Sequence, residues 1–100
     1  MCNGNDYHEF EQLPSQRQRD LLDWIDRNLR PIATFNARHT SYGLKHLVTF
    51  ESDKDSYFTN GEFKGAMLQA GYKVRNKKTQ NWVFNVSEQS PVFKVKKAQR

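Results

Sequence analysis

Phe58-Thr59-Asn60-Gly61-Glu62-Phe63-Lys64-Gly65-Ala66-Met67-Leu68-Gln69-Ala70-Gly71-Tyr72-Lys73-Val74 is the stretch whose reading decides the fold. Thr59 followed three positions on by Glu62 is a capping box: the hydroxyl accepts from the Glu62 amide while the carboxylate accepts from the Thr59 amide. Phe58 before the cap and Phe63 four positions into the helix add a hydrophobic staple to the same start. Phe63, Ala66, Met67 and Ala70 then form a buried stripe at helical spacing, and Gly71 stands where a left-handed C-terminal residue belongs. The remaining face, Gly61, Lys64, Gly65, Leu68 and Gln69, is read as exposed, with side chains short enough for a partner to come close.

Past Gly71 the apolar period falls from 3.6 to 2. Tyr72 and Val74 alternate with Lys73 and Arg75, residues 76–81 read as a polar turn, and Trp82, Phe84 and Val86 alternate with Val83 and Asn85. This pattern predicts an antiparallel β-hairpin with a basic tip. The tail from Pro91 mixes Val92, Phe93 and Val95 with Lys94, Lys96, Lys97 and Arg100, and reads as either a third edge strand or a basic arm.

Upstream, the spacing predicts two more helices. Ser15 and Gln18 make a second capping box ahead of Leu21, Leu22, Ile25 and Leu29, and Pro31 stops that helix near Arg30. A shorter helix begins with Ser41 as its cap and places Leu44, Leu47 and Val48 on one face. Gly43 inside it costs about 1 kcal/mol relative to alanine, and is read as marking close approach of another backbone, from the protein or from a ligand. Residues 51–56 form a polar loop. The chain thus divides into an irregular arm at 1–14, in which Tyr7, Phe10 and Leu13 can pack on the core, one domain at 15–90 and a basic tail at 91–100.

With 100 residues there is room for one core and no second domain, and 13% aromatic content points to a folded chain. Cys2 is the only cysteine, which excludes an intrachain disulfide and a cysteine-built zinc site. With no apolar run near the ~20 residues a membrane span needs, and no signal-peptide pattern in Met1 to Asp6, the expected setting is a reducing cytosol. The net charge is +5, and it is unevenly placed. Residues 61–100 hold nine basic side chains against Glu62 and Glu88 alone, so a polyanion is the first partner to consider.

Three helices followed by a basic hairpin is the element order of a winged helix-turn-helix, so the expected fold class is α+β with a C-terminal wing. In that frame Asn60, Glu62, Lys64, Gly65 and Gln69 of the third helix face base edges of double-stranded DNA. Lys73, Arg75, Lys77 and Lys78 meet phosphates from the wing, and Tyr42 and Lys45 approach the backbone from the second helix. Each has a plainer reading as well: Glu62 completes a cap, Lys64 and Gln69 are solvated, and exposed lysines blunt a sheet edge. His8, His39 and His46 lack the spacing of a His-Glu-x-x-His metal site. Asp53 and Asp55 begin like a calcium loop but lead to Tyr57 and Phe58 where an oxygen ligand and a glycine belong. No catalytic motif occurs, and neither a metal nor a cofactor is expected.

His39-Thr40-Ser41-Tyr42-Gly43-Leu44-Lys45-His46-Leu47, Thr59 to Met67, Ala70-Gly71-Tyr72 and Asn81-Trp82-Val83-Phe84-Asn85-Val86-Ser87 resemble a group of small proteins from bacteriophages and bacterial mobile elements. The resemblance spans roughly residues 18–90 and carries no activity with it. It implies a bacterial host cytoplasm and a small accessory gene. That context raises an alternative function: binding and inhibiting a host or defence protein, such as a CRISPR or other nuclease complex, through Tyr42, Gly43, Gly65 and Leu68.

Overall fold

The computed structural model describes residues 4–50 and 55–98, with side chains as far as Lys94. Its regular elements are a 3-10 helix, Tyr7–Gln12, and four α-helices: α1, Ser15–Asn28; α2, Ser41–Lys45; α3, Asn60–Gln69; and α4, Pro91–Ala98. Cys2 and residues 51–54 of the expected polar loop lie outside the described residues.

The capping box that opens α3 is formed. Thr59 Oγ1 accepts from the Glu62 amide at 3.0 Å, and the Glu62 carboxylate accepts from the Thr59 amide at 2.9 Å. Its far end is closed by a Schellman motif: Gly71 has φ +95°, its amide donates to Leu68, and the Tyr72 amide donates to Met67. Between these ends Phe63, Ala66 and Met67 lie in the core with Leu21, Ile25, Leu44, Phe58, Phe84 and Val86. Each fully buried side chain of the larger kind contributes about 1.5–3 kcal/mol.

The opposite face of α3 is covered. Residues 4–13 lie across it, and the 3-10 helix has its most extensive contact with α3. Gly61, Lys64 and Gly65, expected to face solvent, are all buried. Asp6 caps the 3-10 helix by accepting from the His8 amide, and Glu9 then joins arm to helix. The buried Glu9 carboxylate accepts from the Thr59 hydroxyl and from the Gly4 amide, both at 2.9 Å. Glycine is required where the backbones meet. A Cβ on Gly61 would fall on the Asp6 backbone, and one on Gly65 would meet the Tyr7 carbonyl and lie 2.5 Å from Phe10 Cβ. The short side chains of this face therefore serve an intramolecular approach.

The winged-helix expectation is overturned, because no hairpin and no sheet form among the described residues. Pairing is confined to three isolated antiparallel bridges, Pro31 with Val86, Thr40 with Val83, and Val74 with Phe84. Side chains explain the interruption. Asn85 Oδ1 takes the Lys73 amide and its Nδ2 donates to the Ile32 carbonyl, so one residue occupies ladder positions on both sides. Pro31 brings no amide of its own. Segment 82–87 instead runs as an extended strap between residues 30–41 and 72–75, bonded to both.

Three smaller expectations are corrected as well. At α1 the N-cap position is Pro14, no side chain caps, and Gln18 reaches back to the Leu13 carbonyl, so the Ser15 box does not form. At α2 the cap is Thr40, whose hydroxyl takes the Gly43 amide. Ser41 is turned to the strap, where its Oγ accepts from the Trp82 amide and its own amide donates to the Trp82 carbonyl. The tail is helical from Pro91, which suits a first helical position because proline's fixed φ and missing amide cost nothing there.

Candidate nucleic-acid interface

Lys73, Arg75, Lys77 and Lys78 all point to solvent from one loop, and that loop is tied down along its length. The Lys73 amide is held by Asn85, and the Arg75 amide donates to Val83 at 3.0 Å. Asn76 Oδ1 accepts from the Lys78 amide in an Asx turn, while the Thr79 hydroxyl donates to the Asn76 carbonyl. From below, the buried Trp82 indole donates to the Lys77 carbonyl at 3.2 Å. The Asn60 amide, at the first turn of α3, donates to Gln80 O, Asn81 Oδ1 and Asn5 Oδ1. Residues 63–87 contain no Asp or Glu, so the positive field of this loop has no carboxylate from its own stretch to oppose it.

A second exposed feature lies at α2. Tyr42 on α2 and Tyr57 are 52% and 62% exposed, the two most open of the large apolar side chains. Lys45 is only 7% exposed, and its ammonium lies 5.2 Å from the Tyr42 ring centroid and 4.7 Å from that of Tyr57. Burial lowers the Lys45 pKa, and the Glu62 carboxylate works in the opposite direction. His46 meets Tyr42 edge-on at 4.6 Å. The start of α2 and the basic loop flank the strap on its two sides, through the Thr40–Val83 and Val74–Phe84 bridges.

The ten residues expected to form a contact surface therefore separate. Lys73, Arg75, Lys77 and Lys78 are exposed on the loop, and Tyr42 is exposed on α2. Gln69 is exposed in a different groove, with Asp26, Arg30 and Pro31 at the end of α1. Lys45, Asn60, Lys64 and Gly65 face inward. Lys64 is 3% exposed; its ammonium donates to the Asn5 carbonyl at 3.0 Å and sits 4.9 Å from the Trp82 ring, and burial lowers its pKa against the pull of Asp6 and Glu9. Glu62 is engaged in the cap.

Sequence reading missed Tyr57 and a cluster around Glu88. Glu88 Oε1 is 2.6 Å from His39 Nε2 and accepts from Asn36 Nδ2 at 2.9 Å; the Asn36 bond, then the charge and bond of His39, lower its pKa. The His39 ring stacks on Phe93 of α4 at 4.2 Å. An open groove beside this cluster is lined by Ile32, Phe35 and Arg38. His39 and Glu88 are 49 residues apart, so no spacing rule could have paired them. Among the described residues no group of three or more His, Cys, Asp or Glu could hold a metal ion, and no helix is long and apolar enough to cross a membrane. Comparison with protein-family models, curated proteins and solved structures gives no match.

Proposed function

We propose that this chain binds nucleic acid through its phosphate backbone, with Lys73, Arg75, Lys77 and Lys78 as the contact. The observation that supports it is the pinned basic loop: four exposed cations stand on a backbone held by Asn76, Asn85 and the buried Trp82, so little backbone ordering opposes their engagement. Base reading by α3 is not part of this function, because its face is covered by the arm. Contacts confined to phosphates position a strand and carry no sequence information, so binding is weakly selective among sequences and falls steeply with salt. Titrating a labelled oligonucleotide at low salt tests this directly: no binding by the wild type sinks it, as does undiminished binding by Lys77→Glu/Lys78→Glu.

A second reading, docking on a bacterial host or defence protein, is favoured by one observation. Ile32 and Phe35 are exposed together beside Arg38. Capture of a specific partner from bacterial lysate after nuclease treatment, lost on Phe35→Asp, would support it. Retention of that partner by Phe35→Asp would remove it. The likeness of the motifs to small phage and mobile-element proteins supports a bacterial cytoplasm as the setting for either reading.

A further inference from the structure

We infer that the nucleic acid is single-stranded, with neighbouring bases stacking on Tyr42 and Tyr57 while the basic loop meets its phosphates; this rests on the nucleic-acid reading above. Tyr42 and Tyr57 are the most open large apolar side chains of the described surface, and they share one cation. The buried Lys45 ammonium lies 5.2 Å from the Tyr42 centroid and 4.7 Å from that of Tyr57, so cation–π contacts to one charge keep the two rings in one neighbourhood. The shallow groove at this point is completed by His46, Ser56 and Phe58.

A duplex cannot use such a platform, because its bases are already stacked on one another. An unpaired strand can, since every base has a π-face to offer an aromatic ring. The element that could have entered a duplex groove, α3, is buried beneath residues 4–13. What remains exposed is an aromatic pair and, across the 82–87 strap, a cationic loop, the two components by which unpaired strands are gripped with little regard to sequence. Continuity also favours it: Ser41 and Trp82 are bonded to each other, so the first turn of α2 and the loop that Trp82 supports are held in fixed relation. Among the described residues that line the groove Asp55 is the one carboxylate, and it is exposed.

The test is fluorescence anisotropy with labelled oligothymidylate, oligouridylate and a duplex of equal length, at low salt. Wild type is expected to bind the single strands at least about tenfold tighter than the duplex. Tyr42→Ala and Tyr57→Ala are each expected to lower single-strand affinity by roughly tenfold, with duplex affinity unchanged, whereas Tyr42→Phe and Tyr57→Phe retain binding. Both tyrosines are exposed, and circular dichroism of the variants confirms folding. The two single-strand arms distinguish DNA from RNA as the source of the bases. Equal binding of duplex and single strand with no effect of the alanine variants overturns this inference and leaves the backbone-binding proposal standing. No binding of any oligonucleotide overturns both, and tight binding to polyglutamate that is lost on Tyr42→Ala would assign the surface to an acidic protein instead.

Discussion

Two regions of this chain invited the same interpretation and have opposite fates. The polar face of α3 carries small residues and one lysine, the basic loop at 73–78 carries four cations, and both read as surface. In the structure the first is an internal seam and the second is open. The difference lies in what each residue finds within reach. Gly61 and Gly65 admit another backbone, and Lys64 donates to a backbone carbonyl, so that face is completed from inside the chain. The loop cations stay exposed, Lys77 alone reaching back to a ring of the arm, 5.5 Å from the Tyr7 centroid, while the backbone beneath them is held by Asn76, Trp82 and Asn85. A face of small residues means close approach without saying by whom; a rigid loop with charges turned outward is the better sign of a partner.

The contrast breaks most sharply at glycine. Gly65→Ala should cost about 3 kcal/mol or more, because the clash with the Tyr7 backbone far exceeds the ~1 kcal/mol gained in helix propensity. Gly43→Ala is the control: among the described residues nothing outside its own helix lies within 4 Å of its Cβ position, so thermal denaturation should show it stabilised by up to about 1 kcal/mol. A harmless Gly65→Ala would mean that the arm does not sit on α3. Thr59→Ala should cost about 2 kcal/mol, since it removes the cap and leaves the buried Glu9 carboxylate short of a donor. Hydrogen exchange should show the amides of residues 4–12 loosening with it.

Asn60→Ala sharpens the comparison, because Asn60 touches both regions. Its amide is bonded to Asn5 in the arm and to residues 80 and 81 in the loop, while its Oδ1 is buried without a partner among the described residues. Losing that orphaned oxygen offsets part of the damage. A net cost of about 1 kcal/mol is expected, with faster exchange in both segments. The smallest effect is a pH dependence. Hydrogen bonding from Asn36 holds the Glu88 pKa below its unfolded value, so its contribution is present above the ordinary glutamate range and is lost as pH falls through the depressed folded value. Solvent screens a side chain that is 40% exposed, so the effect is slight. Asn36→Ala should flatten the stability profile in that acidic window, and an unchanged profile would remove Asn36 as the cause.

Local devices were legible in the sequence. The α3 capping box and the glycine that ends the helix are set by residues within four positions of each other, and both form as read. Part of the arm was legible, since Phe10 is in the core with Tyr7 and Leu13 packed against it as read; its 3-10 helix and its seat on α3 were not, because six residues show no sustained period and the partner lies about fifty residues away. The hairpin misled because period-2 alternation reports a buried face and not a ladder. Trp82, Phe84 and Val86 do alternate into the core, but Asn85 and Pro31 prevent continuous pairing. Gly43 shows the same limit in reverse: among the described residues nothing outside its own helix approaches its Cβ position, and only the weak helix-former itself was visible. Of the expected contact residues, those on the loop are exposed as their charge suggests, whereas Lys45 and Lys64 are hidden by tertiary packing that no local pattern encodes.

The central claim is that contact is made by the open loop and not by the covered helix face, and the salt dependence of oligonucleotide binding tests it most directly. Replacing Lys73, Arg75, Lys77 and Lys78 with glutamine should flatten the slope of log affinity against log salt by up to about 3 for a single strand. Lys64→Met, which removes a charge already enclosed, should leave the slope unchanged. A slope that survives the loop replacements, or that falls with Lys64→Met in a folded protein, would contradict the account.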